Sequence, residues 1–322
     1  MGVMVERVAD IRPPNENSPV ILKQMGENFF EIRYNEKSQG GLIRKINNDY
    51  YEVVIGKDAD GNEIVDVREY NRTAETRADN LASVSRSMRD LRDIINCNVT
   101  EPERCLWVTL TYRENMRDPK RHYRDIEKFN KRLRYFLRQS GLPEMEYIYC
   151  VEPQARGAFH AHCILIFDAA KAPFIPNDEM AKIWRHGFTK TKSLKGIANP
   201  GLYLTAYLSD MEIEKALRMG VIIGDGVKEV NTTGEDGASV SKSIVKGARL
   251  HLYPAGMRLF RVSRDIKRPI VTKMSEGDAM KIIGDAPLVF ERTIKVKVSE
   301  VDHVLNTINY RQYNRNCQSG EL

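Results

Sequence analysis

The spacing of apolar and polar positions changes period several times along these 322 residues, and each change predicts an element. Residues 29–34 and 49–55 alternate with the period of two expected of a strand. The turn chemistry of Asp58-Ala-Asp-Gly-Asn62 leads into a third such run at 64–67, so the last two runs predict a hairpin. A calcium loop is the weaker reading of that turn, because the alternating order of its acids is broken. Over residues 73–95, Leu81, Val84, Met88, Leu91 and Ile95 recur at helical spacing. Residues 105–112 are short, apolar and β-branched, as a buried central strand is. Residues 125–137 carry Ile126, Phe129, Leu133, Phe136 and Leu137 on one stripe, and Gly141-Leu-Pro143 ends that helix.

Two more strands, at 147–152 and 159–167, are joined by a turn over Pro153-Gln-Ala-Arg-Gly157. Residues 180–184 read as a short helix, 188–192 as a strand, and 202–217 as a helix entered through Asn199-Pro-Gly201. Residues 224–243 are polar and rich in Gly and Ser, which predicts a loop or insertion. Residues 250–253 and 258–262 predict a closing hairpin across Pro254-Ala-Gly256, and residues 1 to about 20 a flexible leader. No internal repeat occurs.

Composition narrows the class. With 42% hydrophobic residues the chain can bury a sizeable core. No run approaches the roughly 18 apolar residues of a spanning helix, and residues 1–14 have no apolar signal-peptide core. A cytoplasmic protein with no membrane partner is expected. The five cysteines (Cys97, Cys105, Cys150, Cys163, Cys317) are scattered and form no Cys-x-x-Cys pair, so they read as reduced thiols, mostly buried. The net charge of +6 is mild, but its distribution is uneven. Residues 239–273 hold nine Lys or Arg and one acid, and residues 120–138 eight against two. Two such segments around one candidate site predict a phosphate-contacting surface.

The residues with chemistry to offer are His160 and His162, in Phe159-His-Ala-His-Cys-Ile-Leu-Ile-Phe167. Side chains two apart on a strand share a face. Both imidazoles therefore project from one side, while Phe159, Ala161, Cys163 and Leu165 pack on the other. A lone buried histidine is usually structural. Two of the chain's six, one small residue apart on so apolar a strand, predict a chelated divalent cation. Glu152, before a turn containing Gly157, becomes the third ligand if the two strands pair. Two imidazoles and a carboxylate leave coordination positions open for phosphate oxygens and water. They suit Mn²⁺ or Mg²⁺, and ligand type alone leaves Zn²⁺ open.

Tyr203 and Tyr207 lie four apart, on one face of a helix and one turn from each other. In isolation such a pair reads as core packing. Beside a cation that polarises a phosphodiester, a phenol becomes a candidate nucleophile that links itself to a 5′ end and leaves a free 3′-hydroxyl.

Taken in order, Val108-Thr-Leu-Thr-Tyr112, Arg156-Gly-Ala-Phe-His-Ala-His162 and Tyr203-Leu-Thr-Ala-Tyr207 resemble the three motifs of the HUH endonuclease superfamily. The likeness is greatest to rolling-circle replication initiators (Rep proteins) of phages, plasmids and integrative elements. It spans about residues 100–270, including Trp184-Arg-His-Gly-Phe188 and Lys246-Gly-Ala-Arg-Leu-His-Leu-Tyr-Pro254. The resemblance implies an α+β fold, with a central antiparallel sheet of about five strands and helices packed on it. Residues 99–273 would form the nicking domain, with 224–243 inserted, between an N-terminal region 1–98 and a C-terminal extension 274–322. It also implies origin-specific nicking, strand transfer and termination on single-stranded or hairpin DNA, with Tyr207 favoured as nucleophile and Tyr203 as its partner. Two departures stand out. Ala161 replaces a usually bulky residue, and Ala206 and Asp210 stand where many relatives carry a lysine. Lys190, Lys192 or Lys195 could take over the orienting of the phosphate.

No Gly-x-x-x-x-Gly-Lys-[Ser/Thr] occurs, so unwinding and synthesis are expected from a host helicase and polymerase. A relaxase would carry its tyrosine before the histidines, and a transposase of this type would be shorter. A histidine-triad hydrolase would need a histidine where Ile164 stands. A non-catalytic origin-binding protein would be indifferent to loss of both tyrosines.

Overall fold

The computed structural model describes residues 3–36, 43–46, 50–57, 61–69, 75–154, 156–195, 200–201, 205, 211–212, 227–233, 239–245, 249–298 and 303–317. The chain divides into two compact units, Ala74–Arg268 and a second composed of Met1–Thr73 with Pro269–Leu322. The fold is α+β, as expected.

In the first unit, helix α1 (Leu81–Asn98) precedes strand β1 (Cys105–Thr111), helix α2 (Pro119–Gln139), strands β2 (Met145–Pro153) and β3 (Phe159–Phe167), helix α3 (Asn177–Trp184) and strand β4 (Thr189–Ser193), and strand β5 (Phe260–Val262) completes the sheet. All pairings are antiparallel, in the order β4-β1-β3-β2-β5, so β3 with its two histidines is the central strand. Alternation along the strands sends side chains to two apolar layers. On one face Trp107, Ile148, Cys150 and Ile164 pack with Leu91, Ile94 and Ile95 of α1. On the other Leu110, Ala161, Cys163 and Leu165 pack with Ile126, Phe129 and Leu133 of α2 and with Trp184 of α3. Helix α2 starts earlier than the apolar stripe suggests. Asp118 caps it by accepting from the backbone N–H groups of Lys120 and Arg121, and Pro119 suits the first turn.

Three expectations in this unit need correction. The stretch 224–243 contains two paired strands, Val227–Thr233 and Ser239–Val245, because β-branched residues recur often enough there to outweigh the Gly and Ser. Met211–Glu212 adds a third strand to that ribbon, so the helix expected over 202–217 does not run through it. No hairpin closes over 250–262. Leu250–Leu252 is a 3₁₀ turn, and β5 pairs with β2, with Phe260 opposite Cys150. The Tyr253 hydroxyl, fully buried, donates to the Val151 carbonyl at 2.7 Å and holds the turn inward.

The second unit is a six-stranded antiparallel sheet in the order Val3–Val8, Leu288–Val298, His303–Asn314, Phe29–Asn35, Pro19–Met25, Ile270–Ser275. Helix α4 (Glu276–Ile283) packs Ala279 and Ile283 against Val20, Leu22, Phe30 and Ile32. The expected leader is therefore partly strand: residues Val3–Val8 pair with Leu288–Val298, and Val3, Val5 and Val8 supply the strand propensity. The hairpin expected near residue 60 is present, with Tyr50–Lys57 paired to Glu63–Glu69 and Ile43–Lys45 added at its edge. Arg311, nearly buried, is bound through both its terminal nitrogens to Glu276 at 2.7 and 2.8 Å. The three cysteines expected to be buried thiols (Cys105, Cys150, Cys163) are buried and in no disulfide, and Cys97 is buried as well. No described helix is long and apolar enough to cross a membrane.

Candidate active site

Strand register places the two halves of the site. Glu152 on β2 lies opposite His160 on β3, and Cys150 lies opposite His162. On the other flank Thr111 of β1 lies opposite His160, and Thr109 lies opposite His162. Directly opposed residues of an antiparallel pair share a face. Two polar rows, Glu152-His160-Thr111 and Cys150-His162-Thr109, therefore cross the middle of the sheet on the face that carries α1. The next row, Ile148-Ile164-Trp107, belongs to the apolar layer under that helix. The two imidazoles share a face, as the period of two requires, with Phe159, Ala161, Cys163 and Leu165 in the opposite layer.

His162 is held from three sides. Its Nε2 lies 2.5 Å from Glu152 Oε2, its Nδ1 lies 3.2 Å from Thr109 Oγ1, and its ring stacks on Trp107 with centroids 4.8 Å apart. The other Glu152 oxygen, Oε1, lies 3.0 Å from Arg249 Nη2, and Arg249 Nη1 donates to the Pro153 carbonyl at 2.8 Å. Burial alone would raise the Glu152 carboxyl. The hydrogen bond and charge of His162, together with Arg249, outweigh it and hold Glu152 below its ordinary value, so it is ionised at neutral pH. His160 is different. Its Nε2 is buried with no hydrogen-bond partner, and burial pushes its pKa down to about 4, so the ring is neutral at pH 7. The centroids of the two imidazoles are 6.4 Å apart and the rings are steeply inclined.

An unpartnered buried nitrogen on a neutral imidazole calls for an explanation, and a ligand nitrogen awaiting its ion is one. With an ionised carboxylate and a second imidazole beside it, the donor set fits a divalent cation in kind. In position, the three are not gathered: among the described residues no group of three His, Cys, Asp or Glu is arranged to hold an ion. Glu152 and His162 are joined to each other, and His160 stands apart. Loading would exchange the Glu152–His162 contact for bonds to the metal.

Tyr203 and Tyr207 lie outside the described residues. The entry to their segment is described. Gly201 N–H donates to Asn96 Oδ1 at 3.2 Å, and the Thr205 hydroxyl donates to the Gly201 carbonyl at 2.7 Å. Asn96 belongs to α1, so the segment sets out from the helix that covers the histidine face. Of the three candidate lysines, Lys195 pairs with Glu103 at 3.3 Å, while Lys190 and Lys192 are exposed on β4.

The basic surface expected around the site is corrected in part. Helix α2 packs on the face away from the histidines, and several of its cations are engaged locally: Arg132 donates to the carbonyls of Ile183 and Trp184, and Arg121 pairs with Glu114. In the second run, Arg261 lies over the Tyr123 ring at 3.9 Å and Arg249 serves Glu152. Sequence reasoning missed the supporting residues. Thr109 could be found by carrying the period of two across paired strands. Trp107 and Arg249 carry no local signal of their role.

Residues 105–212 match the family model described as replication-associated protein ORF2/G2P. No curated protein matches the chain. The matched stretch lies within the Ala74–Arg268 unit and contains Glu152, His160 and His162, and it supports a replication-initiator role.

Proposed function

We propose that this chain starts rolling-circle DNA replication by nicking one strand and attaching itself to the 5′ end. The observation that carries the reading is the His160-His162-Glu152 group on the central strands, with an unengaged buried His160 Nε2, inside the stretch that matches a replication-associated family. When bound, a divalent cation would polarise the scissile phosphate and stabilise charge on its oxygens. The chain's own residues do the rest. Arg249 holds the Glu152 carboxylate in place, and Trp107 and Thr109 fix the plane of the His162 ring. Tyr207 is the proposed nucleophile and Tyr203 its partner. The phenol oxygen attacks phosphorus, the bond from phosphorus to the 3′-oxygen breaks, and the phenol proton is taken up in exchange for the one the 3′-hydroxyl gains. The phosphodiester bond is conserved as phosphotyrosine, which lets the step reverse and rejoin ends at termination. The substrate is single-stranded or hairpin origin DNA, and host enzymes supply unwinding and synthesis.

The test is an adduct assay on supercoiled DNA carrying the cognate origin, with Mn²⁺ or Mg²⁺, for the wild-type chain, Tyr207→Phe, Tyr203→Phe and His160→Ala. We expect covalent attachment by the wild type, loss of it in Tyr207→Phe, and loss of nicking with retained DNA binding in His160→Ala. A nick with a free 5′ phosphate and no attached protein would end the tyrosine reading.

A further inference from the structure

We infer that edge strand β4 is the track for single-stranded DNA beside the nicking centre, Phe188 stacking on an unpaired base and Lys190 and Lys192 meeting successive phosphates. The inference rests on the proposed function for its substrate and on β4 for its residues.

Thr189 is buried and its hydroxyl donates to the carbonyl of Asn177, the first residue of α3, at 2.9 Å. Its neighbours Phe188 and Lys190 therefore fall on the other face, which carries the histidines. Register agrees. Lys190 lies opposite Thr109 and Lys192 opposite Trp107, and the Thr111 N–H donates to the Phe188 carbonyl at 2.9 Å, extending the ladder by one pair. The two polar rows of the site thus continue outward, one as Glu152-His160-Thr111-Phe188 and the other as Cys150-His162-Thr109-Lys190. At about 4.8 Å per strand, the backbone of Phe188 is roughly 10 Å from that of His160. Along β4, residues 188, 190 and 192 are spaced by about 6.7 Å, which suits contacts to consecutive units of an extended strand.

Phe188 is 64% exposed, which a residue needed for core packing would not be. It is also rigidly mounted. A Cβ at Gly187 would collide with the backbone of Thr111 and Arg113, so the turn into β4 lies directly on β1. The His186 carbonyl accepts from Arg113 N–H at 2.9 Å on the same turn. Among the described residues neither Lys190 nor Lys192 meets a carboxylate, in contrast to Lys195. An exposed aromatic followed by two unpaired cations on one face of an edge strand, in line with a phosphodiester site, is a stacking platform with an electrostatic track.

The test is binding of a labelled single-stranded origin oligonucleotide by the full chain in EDTA, so that nicking cannot interfere. Phe188→Ala should weaken binding by about tenfold, Phe188→Trp should restore it, and Tyr135→Ala on exposed α2 should change nothing. Lys190→Ala with Lys192→Ala should lower the slope of log affinity against log salt by about 1.4. A fully duplex oligonucleotide should not feel Phe188→Ala. If the Phe188 and lysine variants bind like wild type, or if Tyr135→Ala or the duplex loses as much, the track is wrong while the nicking reading stands. If the wild type binds no single strand at all, both fall.

Discussion

His122 shows how much a single buried side chain decides on the face away from the histidine pair. It is fully buried, neither ring nitrogen has a hydrogen-bond partner, and it sits among the rings of Tyr112, Tyr149 and Phe159 at 5.5–5.8 Å. Burial first, and then the charges of Arg261 and His160, lower its pKa to about 3. The unfolded chain binds a proton there near pH 6.5 and the folded chain does not, so stability falls as pH drops below about 6.5 and keeps falling towards about 3. We expect His122→Phe to flatten that fall, so that the difference in stability between pH 7 and pH 4.5 shrinks by roughly 2–3 kcal/mol in urea titrations. An unchanged pH profile would show that His122 takes up its proton in the folded state. At this scale the facing of His160 and His162 was readable, because period two is a property of any strand. The stack on Trp107 and the Arg249–Glu152 pair were not, because each joins residues far apart in the chain.

At the scale of elements, the informative contact is between α1 and the segment that leads to Tyr203 and Tyr207. A Cβ on Gly201 would meet Asn96 Oδ1 and, at 2.7 Å, the Arg92 carbonyl, so only glycine lets that segment start so close to α1. Gly201→Ala should therefore cost about 1–3 kcal/mol of stability through overpacking. It should also slow single-turnover nicking at least tenfold while leaving oligonucleotide binding in EDTA unchanged. Destabilisation with nicking at the wild-type rate would show that this anchor does not serve the tyrosines. Long, strongly periodic elements were readable here: β1, α2, β2, β3 and α3 all form where the pattern placed them, with boundaries displaced by caps such as Asp118. Besides the helix expected over 202–217 and the hairpin expected over 250–262, the errors fell on Val3–Val8, Val227–Thr233 and Ser239–Val245, short strands that exist only because a partner strand completes their hydrogen bonds.

At the scale of the whole molecule, the two units have separate apolar clusters, one around Val20, Leu22 and Ile283 and the others around Phe129, Leu133, Ile94 and Ile164. Calorimetry should resolve two transitions. Mn²⁺ should raise only the one belonging to Ala74–Arg268, by about 2.7 kcal/mol at a hundredfold excess over its dissociation constant. A shift of the other transition would place the cation elsewhere. From the sequence by itself came the strand and helix periods, the shared face of the two histidines and the order of the chemistry-bearing segments, because these depend on spacing within a few residues. Only the tertiary structure decided that residues from both ends of the chain share one sheet, that α2 turns its basic residues away from the histidine face, and that Arg249 reaches Glu152. Each of those contacts joins chain positions whose partners local periodicity cannot name, and closing the chain between them is favourable only once the surfaces they bury meet.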